Sequence, residues 1–136
     1  MIRPIMHDPL FLAQKSEPAG EADRQTALDL LDTLRANLDR CVGMAANMIG
    51  VRKRIIVFCS GLLQTVMINP QIIRMSGAYE TEEGCLSLAG VRKTKRFRQI
   101  AVRYQDLSFR QREAVYDGFT AQIIQHEIDH CDGILI

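Results

Sequence analysis

The pattern that most restricts the fold of this chain is His126-Glu127-Ile128-Asp129-His130. It lies in a segment, Phe119 to Cys131, that reads as a helix ended by Gly133. Two histidines four apart on a helix sit roughly 40° apart around the axis, so both imidazoles leave one face, one turn apart. Such a pair suits a single divalent ion, and the intervening Glu can reach a water at that ion as a general base. Zinc proteases with this pattern take a third ligand from further along the chain. Only six residues follow His130, so a third protein ligand is expected upstream. The last helix must then pack against an earlier segment that carries it.

What precedes the helix reads as α+β. Apolar residues at Ala27, Leu28, Leu31, Leu34 and Leu38 recur at helical steps, predicting an N-terminal amphipathic helix over Glu21 to Arg40. Arg54 to Cys59 is a β-branched run and reads as a buried strand. Gln64 to Asn69 reads as a strand halted by Pro70, with Ile72 to Met75 continuing beyond it. Ile100 to Gln105 and Gln111 to Tyr116 read as a pair across a turn at Asp106 to Arg110, and Ile134 to Ile136 as one short strand. Val42 to Gly50 is small and apolar with two glycines, a loop whose backbone approaches something closely. Helix, strands, helix implies mostly antiparallel sheet packed around the C-terminal helix, not alternating βαβ units.

At 136 residues, the expectation is one domain over 1–136. A net charge of +1 gives no overall field for nucleic acid or a membrane surface. No apolar run approaches membrane-spanning length, and Met1 to Leu12, broken by Pro4, His7, Asp8 and Pro9, is no signal peptide. The four cysteines are therefore expected as reduced thiols in a cytoplasmic protein.

Among those cysteines, Cys85 in Glu82-Glu83-Gly84-Cys85-Leu86-Ser87 is the best candidate for the missing ligand, because it sits in a turn-like segment. A small buried hydrophobe is the competing reading of any free cysteine. Cys131 abuts His130 but lies about 100° around the helix from it. Cys59 falls in a buried strand, and Cys41 ends the first helix. Cys85, His126 and His130 would leave a fourth position open, the arrangement of catalytic and not structural metal sites.

Three segments taken together, Cys41-Val42-Gly43-Met44-Ala45-Ala46-Asn47-Met48, Glu83-Gly84-Cys85-Leu86-Ser87 and His126-Glu127-Ile128-Asp129-His130, make the chain resemble the peptide deformylases. That family carries G-x-G-x-A-A-x-Q, E-G-C-x-S and H-E-x-D-H in this order. The resemblance implies a hydrolase that removes the formyl group from the N-terminal formyl-methionine of new polypeptides. It implies metal binding by Cys85, His126 and His130, proton transfer by Glu127, and an oxyanion donor in the Leu86 backbone N–H. It implies ferrous iron, Fe(2+), in the cell, with Zn(2+), Ni(2+) or Co(2+) as other occupants. Its partners would be N-formylmethionyl peptides, with a transient ribosome contact and no direct nucleic-acid binding.

The substrate-binding residues expected on this basis are Val42, Gly43, Met48, Arg92 and Ile123, with Ile124 as a further pocket-lining candidate. Asp129 would orient a ligand imidazole or a neighbouring strand, and Glu83 would pair with Arg92, Arg96 or Arg98. Two positions depart from the family pattern. Cys41 replaces a glycine. Met48 replaces a glutamine that donates to the formyl oxygen, and methionine has no such donor. Asn47 next to it carries an amide, but in an extended segment it would face the other way. Met48 keeps one alternative in view, a weak or inactive formyl-peptide binder. The His-Glu-x-x-His pattern keeps a second, a metalloprotease, against which the absent downstream ligand and Glu83-Gly84-Cys85 count.

Overall fold

A computed structural model describes residues 1–136. Five strands form one antiparallel sheet in the order β1-β2-β3-β4-β5. They are β1 (Gly43–Ala45), β2 (Ile55–Ser60), β3 (Leu63–Cys85), β4 (Leu88–Gln105) and β5 (Gln111–Asp117). The helices are α1 (Pro9–Leu12), α2 (Arg24–Ala36) and α3 (Gly118–Cys131). The expected α+β architecture, with a helix on either side of the strands in sequence, is present. No helix is long and apolar enough to cross a membrane.

The layering follows from β2. Successive strand side chains face opposite ways, so a run apolar at every position, as Ile55 to Phe58 is, has to be covered on both faces. Ile55 and Val57 join Ala27, Leu30 and Leu34 of α2 in one core cluster. Ile56 and Phe58 join Ile124 and Ile128 of α3 in the other. All four β2 residues are fully buried. The sheet therefore separates α2 from α3, and α3 keeps one face for the sheet and another for the site.

Helix α2 is shorter at both ends than its periodicity predicts. Glu21–Asp23 forms a 3₁₀ turn. At the other end the Asn37 side chain donates to Thr33 O (2.7 Å) and its backbone N–H to Leu34 O (2.9 Å). An Asn that bonds the preceding turn competes with the helical ladder, so residues 37–40 turn away and Leu38 is exposed. Cys41 consequently lies beyond the helix. Helix α1 went unanticipated although its signal is local: the Asp8 carboxylate accepts from Leu10 N–H (3.0 Å) and Pro9 opens the first turn.

Pro70 does not end its strand. The ladder shifts register between Ile68 and Gln71 and again between Ile72 and Arg74. Asn69 takes φ 52°, a conformation asparagine tolerates, and Pro70 sits in the irregularity where its missing N–H costs no ladder bond. The Asn69 side chain then ties Ala19 and Gln105 to this point. Beyond it β3 and β4 run on as a long ribbon to the turn Leu86-Ser87. Charge hid this ribbon: Glu80 pairs across from Lys95 and Glu82 from Lys93, so its strands carry little apolar alternation. A third register shift, between Gly84 and Cys85, re-aims the end of β3.

Helix α3 docks through Gln125, whose amide accepts from Phe97 N–H and donates to Phe97 O, both 2.8 Å. Its end is the glycine stop expected at Gly133: Gly133 N–H donates to His130 O (3.1 Å) and Ile134 N–H to Asp129 O (3.0 Å), with Gly133 at φ 74°. Ile134 to Ile136 form no strand, contrary to expectation; the chain leaves the helix end to pack Ile136 against the body, where it is buried.

Phe58 tests this layering. It is fully buried and meets Tyr116 edge-on, with ring centroids 5.7 Å apart. Phe58→Ala is expected to lower unfolding free energy by about 3–5 kcal/mol, measured from urea transitions. A loss below about 1 kcal/mol contradicts a packed two-faced sheet.

Candidate metal and active site

Two elements meet at the site. The bulged end of β3 supplies Glu83 and Cys85, and α3 supplies His126, Glu127 and His130. One ligand atom each from Cys85, His126 and His130 lie within 4.8 Å of one another. His126 Nε2 and His130 Nε2 are 3.0 Å apart. Two imidazole nitrogens this close either share a proton or both face a cation. With a thiolate beside them they form a sulfur–nitrogen–nitrogen donor set that fits a divalent transition metal. Ser87 N–H donates to Cys85 Sγ (3.4 Å) and orients the sulfur.

Behind the histidines stands a buried charged network. His126 Nδ1–H donates to Glu83 Oε1 (2.7 Å), which leaves Nε2 for the site. Glu83 also accepts from Arg96 Nη2 (2.7 Å) and Nε (3.0 Å), and from Gln122 Nε2 (2.9 Å). Arg96 Nη1 donates to Asp129 Oδ2 (2.7 Å). Of the three arginines considered from sequence, Arg96 is therefore the partner of Glu83. Asp129 acts on β4 through Arg96 and not on an imidazole. Burial alone would push Glu83 up, but the bonds from His126, Arg96 and Gln122 hold it at about 2. In the metal-free chain burial works against charge on both imidazoles. Cys85 and Glu83 nevertheless hold a proton on His126, and burial with that charge keeps His130 neutral.

Glu127 is the other buried carboxyl. Burial pushes it up to about 7, with His126 pulling the other way. Its Oε1 has no partner within the chain. It fits because residue 43 is glycine: a Cβ there would lie 2.7 Å from Ile123 Cγ2 and 2.9 Å from Glu127 Oε2. This is the close approach that the glycine-bearing stretch predicted. That stretch forms β1 and a 3₁₀ turn over Ala46–Ile49 instead of a loop.

A cavity of about 220 Å³ opens on the site. Val42, Gly43, Met48, Cys85, Leu86, Ile123, His126 and Glu127 line it. Arg92 does not; it folds back on the β3–β4 turn, its Nη1 donating to Ala89 O (3.4 Å). Ile124 is also absent from the wall, because it packs into the core between α3 and the sheet. Met48 is almost fully buried, and its sulfur accepts from Ala45 N–H (3.4 Å). Asn47 does not lend its amide to the cavity: it is fully buried, absent from the wall, and its Nδ2 donates to His130 O (2.9 Å). Cys41 lines the cavity too, but burial pushes its thiol up to about 12 and it donates to Gly43 O. Cys131 is buried in the α3 core and likewise pushed up to about 12 by burial. Neither competes with Cys85 for a metal. Glu83 and Gly84 also line it, and Arg40, Phe119 and Gln122, which the sequence reading does not single out, complete the wall. Phe119, Gln122, Ile123 and His126 follow i, i+3, i+4, i+7, so extending the histidine face one turn back along α3 would have found two of them.

Known proteins agree with this geometry. The family model described as polypeptide deformylase matches residues 2–136. A peptide deformylase of Clostridium beijerinckii is 60% identical over the full length of both chains. One from Dictyoglomus thermophilum is 40% identical, with 100% of this chain and 91% of that protein covered. A class I type b peptide deformylase from Acinetobacter baumannii, solved with Met-Ala-Ser bound, superposes with a TM-score of 0.88 at 29% identity, covering 99% of this chain and 97% of that one. The Thermotoga maritima peptide deformylase gives the same TM-score and identity, covering 99% and 95%. Sequence, motif order and fold thus agree, and the chain belongs to the polypeptide deformylase family.

Proposed function

We propose that this chain deformylates the N-terminal formyl-methionine of newly made polypeptides, with one divalent metal held by Cys85, His126 and His130. The observation that carries the reading is the convergence of the two Nε2 atoms and the Cys85 sulfur beside a buried carboxyl with an unpartnered oxygen. The family is metal-dependent. A thiolate with two imidazoles suits iron, zinc, nickel and cobalt alike; ferrous iron as the cellular occupant is what membership of the family implies. The cytoplasm is the compartment this implies, with a transient contact at the ribosome where such substrates emerge.

When bound, the ion supplies Lewis acidity, polarising a carbonyl and lowering the pKa of water. Every other step belongs to the chain. Glu127 Oε1 takes the proton of the attacking water and later delivers it to the departing amine, a role suited to a buried carboxyl oxygen with no partner within the chain. The Leu86 N–H lies in the turn outside the ladder and has no partner within the chain. It would donate to the formyl oxygen as negative charge builds there. Glu83 holds His126 in one tautomer. Val42, Leu86 and Ile123 offer apolar wall to the methionine side chain. β1 is an edge strand with only β2 beside it, so its free edge can pair with an extended peptide.

Met48 sets the rate. An oxyanion donor is worth about 2.7–4 kcal/mol, and this wall presents a thioether where the family has an amide. Met48→Gln is therefore expected to raise kcat on formyl-Met-Ala by about tenfold or more with KM little changed. An unchanged or lower kcat in a folded variant would show that other donors already suffice.

Metal content and turnover separate the remaining roles. Cys85→Ser, His126→Ala and His130→Ala should each lose stoichiometric metal by atomic emission. Glu127→Gln should keep its metal and lose about 10²–10⁴ in kcat. Retained metal in all three ligand variants would sink the assignment. Gly43→Ala should keep metal but lose activity, since its Cβ must displace Ile123 and Glu127; wild-type kcat would refute that close packing.

A further inference from the structure

The cavity wall contains one guanidinium, Arg40, which the chemistry above does not use. It is exposed, so it stands at the solvent side of the cavity. It forms no ion pair within the chain. Its Nε (3.2 Å) and Nη2 (2.7 Å) both donate to a neutral acceptor, Asn37 Oδ1, and its backbone N–H donates to Asn37 O (3.1 Å). Asn37 is itself only 8% exposed and fixed by its bond to Thr33 O. The fork is thus held in place, its charge is not neutralised, and Nη1 is uncommitted. A pre-oriented guanidinium loses little side-chain freedom when it meets a carboxylate. The other arginine expected near a bound peptide, Arg92, is turned onto Ala89 O. The other charged groups of the wall are engaged elsewhere or buried: Glu83 on Arg96 and His126, and Glu127 deep beside Gly43.

We propose that Arg40 is a specificity-determining residue, which selects substrates carrying a carboxylate shortly after the methionine. The inference rests on the deformylase reading, because it is that reading which sends the rest of the peptide past Arg40. The carboxylate can come from an Asp or Glu side chain or from the free C-terminus of a short peptide.

Binding to zinc-loaded protein tests this independently of turnover. Met-Ala-Asp-amide and Met-Asp-Ala-amide are compared with their lysine counterparts by titration calorimetry, and Met-Ala-Ala acid with its amide. A carboxylate peptide is expected to bind about three- to fivefold tighter, the range of a partly solvated ion pair. Arg40→Gln, or about 0.5 M salt, should erase the difference, and Arg40→Glu should reverse it. Arg35→Gln removes the same charge from a side chain bonded to Gln64 outside the cavity and should leave the preference intact. Equal affinities in the wild type, or a preference that survives Arg40→Gln, overturn the inference. Whether the acid and amide pair or the side-chain pairs show the larger difference identifies the source of the carboxylate. Hydrolysis of formyl-Met-Ala-amide is followed in parallel. Its absence alongside a binding preference counts against the deformylase reading while supporting the role of Arg40.

Discussion

The interaction on which the site depends is the buried carboxylate of Glu83. It receives His126 from α3, Arg96 from β4 and Gln122 from α3, while Arg96 reaches on to Asp129. One anion therefore fixes the ribbon end, the last helix and the tautomer of an imidazole. Removing one partner of a buried pair typically costs about 3–5 kcal/mol, because a charge is left without compensation. The consequence reaches beyond stability. Cys85 sits two residues from Glu83, and His126 and His130 sit on the helix that Glu83 anchors, so one carboxylate braces both elements that carry the three sulfur and nitrogen atoms.

A second constraint is the lack of space around Glu127. The helix that carries it packs against β1 so tightly that only glycine fits at position 43. That packing strips water from the carboxyl and raises it towards neutrality. Core packing and acid–base chemistry are here one fact: the β2 run Ile55 to Phe58 forces a helix onto each face of the sheet, and the helix on the second face delivers the carboxyl into a dry corner. Met48 belongs to the opposite core cluster yet reaches the cavity wall. Its thioether is held there by the Ala45 N–H, so one side chain serves both the core and the wall.

Much of this was legible from local pattern. His126, Glu127 and His130 declare themselves by helical spacing, and Cys85 by elimination and by motif order. Gly133 marks its own stop. The strands that alternate or run apolar, around Ile56 and Val102, are also readable. The β3–β4 ribbon was not, since its pairing is carried by Glu80, Glu82, Lys93 and Lys95, and charge on a solvated ribbon carries no hydrophobic period. Pro70 misled because a bulge at Asn69 absorbs it, and a bulge is a property of two strands together. Arg92 and Arg96 are alike in sequence; only the three-dimensional path of the ribbon sends one to the turn and the other to Glu83. Arg40 was hidden for a similar reason: Asn37 unwinds the last turn of α2, and only then does the chain bring a cation to the cavity.

The most direct test is single-turnover hydrolysis of formyl-Met-Ala-Ser by protein loaded anaerobically with one equivalent of ferrous iron. The same sample is assayed again after chelation and after metal is returned. The account predicts release of formate that disappears with the metal and returns with it in proportion to occupancy. Full occupancy with no formate released, in both the wild type and Met48→Gln, would contradict it.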